Sequence, residues 1–113
     1  DRRIRGRVAI VRARCERFLP IADRLPLDPD AVEMARLIRT KIPEIIETCL
    51  GHCRLATETE RRILLDNLAA SLEAVGDDAE RRRPALMQRL TVDFEVQRAD
   101  LAQRTAQDPL SPI

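Results

Sequence analysis

The sequence predicts an all-α chain: an elongated antiparallel bundle of three to four helices over residues 1–106, a single domain, with an extended C-terminal tail at 107–113. Three observations predict it. Apolar residues recur at alternating steps of three and four, and only helical backbone lines up such residues on one side. Leu, Ala, Ile, Arg and Glu dominate, which are good or adequate helix formers. Trp and Tyr are absent, Phe18 and Phe94 are the two aromatics, and Gly appears three times. The β-branched, aromatic and turn-rich signature of a sheet is therefore missing. At 113 residues the chain is long enough to bury roughly 60–70% of its unfolded surface without staples.

The first helix is expected over about 2–24, with Ile4, Val8, Val11, Cys15, Phe18, Ala22 and Leu25 as its seam. Gly6 is a weak point inside it. Pro20 should kink or break it, because proline removes a donor and crowds the preceding turn. Leu25-Pro26-Leu27-Asp28-Pro29 reads as a turn. Asp28 is placed to cap the next helix, with Pro29 at its first position. That second helix is expected over about 29–53, with a seam of Ala35, Ile38, Ile42, Ile45, Cys49 and Cys53 and a bend at Pro43.

Thr57-Glu58-Thr59-Glu60 matches a capping box. A third helix follows, with Leu65, Leu68, Leu72, Val75 and Ala79 on one side. Gly76-Asp77-Asp78 is read as its end, or as a weak joint. Arg81-Arg82-Arg83-Pro84 offers a second break. The last helix carries Leu86, Leu90, Phe94 and Leu101 and ends near 106. The tail holds two prolines and is read as extended, docked by Leu110 and Ile113.

The net charge of +1 hides an asymmetry. Residues 1–17 carry +5 and the remainder −4. Arg2, Arg3, Arg5, Arg7, Arg12 and Arg14 are the candidate anion- or partner-binding residues, for phosphate on an anionic membrane surface or on nucleic acid. The competing reading is a solvated helix face in a chain that uses Arg for Lys. The scarcity of aromatics argues against nucleic acid, since single-strand binding needs stacking platforms.

Cys49, His52 and Cys53 share one helical turn and are the candidate metal ligands, with Cys15 as a fourth. Both cysteines also fall on the apolar seam, where free cysteine packs as a small hydrophobe. Packing is the favoured reading, with no metal and no cofactor. His52 is the one histidine, so a nucleophile–base pair is hard to assemble. No phosphate-binding glycine motif appears. Three cysteines cannot all pair within one chain, so free thiols and a reducing compartment are expected. No run reaches the ~18–20 apolar residues of a membrane span. The chain opens on Asp1 rather than Met, so a longer parent is expected.

Residues 31–104 resemble the XpaC-type family, associated with 5-bromo-4-chloroindolyl phosphate hydrolysis. The resemblance is carried by Leu37-Ile38-Arg39-Thr40-Lys41-Ile42-Pro43-Glu44-Ile45-Ile46, by Leu65-Asp66-Asn67-Leu68-Ala69-Ala70-Ser71-Leu72-Glu73, and by Val92-Asp93-Phe94-Glu95-Val96. It implies a helical cytoplasmic domain following membrane segments and linked to phosphate-ester hydrolysis. It carries over no catalytic residue. The Arg-rich start would then lie just inside a membrane.

Taken together, seam-like stripes without a chemical constellation argue for a non-enzymatic helical interaction module. Its partner is expected to be another helical protein or a second copy. A phosphoester hydrolase, and a binder of anionic lipid or nucleic acid through the Arg-rich helix, are the alternatives.

Overall fold

The computed structural model describes residues 2–107. Among them there are helices and turns and no strand. Helix α1 spans Arg2–Asp23. Its expected seam holds: Ile4, Val11, Cys15, Phe18 and Ala22 are buried, joined by Ile21. Pro20 does not break the helix, which continues to Asp23. The proline sits near the C-terminal end on an exposed position, where water can reach the carbonyl it leaves unpaired. A tight turn follows, with Arg24 and Leu25 donating to the carbonyls of Ile21 and Ala22 at 3.1 and 2.9 Å.

Helix α2 spans Pro29–Arg36, and Asp28 caps it: its Oδ1 accepts from Ala31 N at 3.1 Å. This is the N-cap the sequence advertised. Residues Leu37–Lys41 then form a π-helical turn, and helix α3 continues over Ile42–Cys53. A bend at Pro43 was the expectation; a widened turn just before it is what forms. The Ile42 N–H reaches back five residues to Leu37 O. The extra residue relieves the clash of the Pro43 ring with the carbonyl four residues earlier.

Thr57 opens helix α4 as a complete capping box. Thr57 N donates to Glu60 Oε1 at 2.9 Å, and Glu60 N donates to Thr57 Oγ1 at 3.2 Å. Helix α4 runs unbroken over Glu58–Gln107, 50 residues. This corrects two expectations, an end at Gly76-Asp77-Asp78 and a break at Arg81-Arg82-Arg83-Pro84. Gly76 is buried against α1 rather than placed at a helix end. Pro84 is exposed, so the carbonyl it frees can turn to solvent. The separate last helix is therefore the second half of α4. The tail's docking residues, Leu110 and Ile113, lie outside the described residues.

The core gathers Phe18, fully buried, with Met34, Ile38, Leu68, Leu72 and Leu86. Arg83 interrupts the α4 seam, with its Nε enclosed and lacking a hydrogen-bond partner among the described residues. Ion pairs tie α1 to α4 in a constant register: Arg3 to Asp66, Arg14 to Asp77 and Arg17 to Glu80, each 63 residues apart. The first and last helices therefore ascend together. The fold measures 78 × 22 × 18 Å, with a radius of gyration of 21.4 Å, against ~13 Å for a compact 100-residue domain.

Candidate interaction surface

The α1 arginines meet carboxylates of the same chain. Arg7 grips Glu73 at 2.5 Å and approaches Asp66 at 3.5 Å. Arg3, Arg14 and Arg17 follow the same ladder, and Arg12 pairs with Glu16 at 2.9 Å. The Arg7 guanidinium lowers the Glu73 pKa by hydrogen bonding. Arg2 and Arg5 make no ion pair among the described residues and are exposed. Much of the +5 segment is thus matched by the acidic stripe of α4, a partner that charge counting could not locate.

The structure brings Cys49 and Cys53 together but leaves His52 apart from them. Cys49 and Cys53 are buried and His52 is exposed. Cys49 Sγ donates to Leu64 O at 3.7 Å. Burial, then the neighbouring Cys53, raises the Cys49 pKa; burial, then Glu16, raises that of Cys15. Raised thiols are poor sources of the thiolate that metals and electrophiles need. Among the described residues no three His, Cys, Asp or Glu side chains are grouped to hold a metal ion.

The surface that stands out is a groove between α3 and α4. One section is a cleft of ≈ 380 Å³ lined by Leu37, Ile42, Ile45, Leu72 and Val75, with Lys41, Glu44, Thr48 and Ser71 on its walls. A second section of ≈ 210 Å³ shares Ile45, Thr48 and Ser71 and adds Asn67 and Leu68. A third, ≈ 430 Å³, shares His52 and Leu64 and ends at Leu55, Ile63 and Glu60. The floor is apolar and the rim polar, the pattern of a helix-accepting groove. Ile45 was expected on the packed seam, yet it is 42% exposed. After the π turn the packed side runs through Ile42, Ile46, Cys49 and Cys53 instead.

The other feature is the free end of α4. From Thr91 to Ala106 every residue is exposed, including Val92, Phe94, Val96 and Leu101. Phe94 and Leu101 were expected in the core; they lie past the 24–28 turn, where no other described helix reaches them. Local bonds hold this arm. Arg98 pairs with Glu95 and Arg104 with Asp100, each at 2.9 Å, and Thr91 Oγ1 donates to Met87 O at 3.0 Å. Isolated helices of this length are marginal in water.

No family model, no curated protein and no solved structure matches the chain. The surface must be interpreted from its own chemistry. No helix among the described residues is long and apolar enough to cross a membrane. Sequence reasoning missed the groove because its rim residues, Thr48, Asn67 and Ser71, look like ordinary solvent positions. A readable signal did exist in the arm. Val92 and Val96 step by four on the side opposite Phe94 and Leu101, so the arm is apolar on two faces.

Proposed function

We propose that the chain is a non-enzymatic interaction module that accepts an amphipathic helix in the groove between α3 and α4. The proposed arrangement is an up–down–up bundle whose second rod is α2–α3. Pairs such as Asp23 with Arg39 and Cys49 with Leu64 support that reading. The observation that carries the function is the joined apolar cleft from Leu37 to Leu55, open to solvent between α3 and α4. A helix-sized rod would cover Ile45 and Ile63, which stand 42% and 56% exposed. Burying such side chains contributes ~25 cal/mol per Å² of apolar surface. By resemblance to the XpaC-type family the module is further proposed to be the cytoplasmic part of a membrane-associated protein.

The test is titration with synthetic amphipathic helices of about 20 residues bearing Leu at heptad a and d positions. Backbone NMR shifts at Ile45, Ser71 and Leu72 are expected, and Ile45→Glu should abolish them. Absence of any shift at millimolar peptide would refute helix acceptance. Turnover of chromogenic phosphate esters by the purified chain would refute the non-enzymatic part.

A further inference from the structure

Resting on the groove reading, we infer that its occupant is the α4 arm of a second copy of this chain, the two copies exchanging arms reciprocally with their α4 helices antiparallel. Length is the first argument. The groove follows α4 from about residue 60 to 75, roughly 24 Å at 1.5 Å per residue, and the arm over 91–107 spans roughly 25 Å.

Direction is the second. Asn67 and Val92 are 25 residues apart, and so are Ser71 and Val96. Seven turns of helix separate each pair, less about 20°. The groove face of α4 and the Val92–Val96 face of its arm therefore point the same way. A two-fold axis perpendicular to α4 then lays each arm in the other groove with one operation, and the assembly closes.

Charge is the third. Setting Ser71 opposite Val96 of the second copy brings Val92 of that copy to Val75. Lys41, paired with Glu44 at 3.7 Å, walls the same section as Val75 and would also meet Asp93 of the second copy. At the far end, Glu60 walls the section of Ile63 and would meet Arg104 of the second copy.

Sedimentation velocity on the full chain tests this. A dimer is expected at tens of micromolar. Val96→Arg and Ile45→Glu alter exposed positions and should each give monomers of unchanged helicity. Mixing the two variants should restore a dimer, since one arm and one groove remain intact and Arg meets Glu in the other pair. A wild-type monomer, or an Ile45→Glu variant that stays dimeric, would overturn arm exchange. A monomer that still binds the synthetic helices at Ile45 would leave the groove reading standing and remove only the second copy.

Discussion

Gly76 lies against the backbone of Val11: a Cβ built on the glycine would sit 3.4 Å from Val11 Cα and 3.4 Å from its Cγ1. Gly76 thus brings the first and last helices close in the middle of their ladder. A single methyl meets ordinary van der Waals contact there. Gly76→Ala should therefore gain most of the ~1 kcal/mol that separates alanine from glycine in a helix. Gly76→Leu must push the helices apart and should cost ~1–3 kcal/mol. Chemical denaturation of both variants checks the opposite signs. Equal destabilisation would mean that the two helices are closer than described.

The two phenylalanines should behave as opposites. Phe18 is fully buried, whereas Phe94 is 59% exposed. Phe18→Ala should cost ~3–5 kcal/mol through lost burial and a residual cavity. Phe94→Ala should leave the folding free energy of the monomer within ~0.5 kcal/mol, as surface changes do. Urea midpoints at matched slope separate the two.

Acid should weaken the fold through a defined set of carboxylates. Asp23 is lowered by Arg39, Asp28 chiefly by the Ala31 N–H, Glu60 by Thr57, Glu73 by Arg7, and Asp78 by Arg81 and then Arg82. A carboxylate with a depressed folded pKa supplies stability above its unfolded value, about 4, and loses it as pH falls through the folded value. The melting temperature should be flat from pH 8 to 5 and fall below about pH 4. Glu73→Gln should flatten part of that fall. A melting temperature that rises on acidification would contradict the ladder.

Much of the fold was legible in local chemistry. The α1 seam, the Asp28 cap and the Thr57–Glu60 box each encode a structure within a few residues, and each formed as spelled. Continuity of α4 was not legible. Gly76 and Pro84 carry genuine helix-breaking propensities, and tertiary packing overrides them: contact with Val11 uses the glycine, and the exposed side of the helix tolerates the proline. The arginine ladder was half legible. The excess of basic residues over 1–17 was visible, but their partners lie 63 residues away on a helix whose direction the sequence does not state. The groove was hidden because Pro43 announced a bend, whereas the π turn that forms before it leaves Ile45 exposed and the packed position to Ile46.

The thiols give a last expectation that separates packing from chemistry. Cys15, Cys49 and Cys53 are free and buried, and burial raises the first two. At pH 7.5 a disulfide reagent such as DTNB should modify them far more slowly than it modifies glutathione. All three should react at once after unfolding in guanidinium. Because attack requires both access and thiolate, the native rate reports the opening of the bundle rather than the intrinsic thiol. Gly76→Ala, if it stabilises, should slow that rate further. A cysteine that reacts in the native state as fast as a free thiol would reveal an accessible, activated sulfur and return Cys49 and Cys53 to the list of chemical candidates.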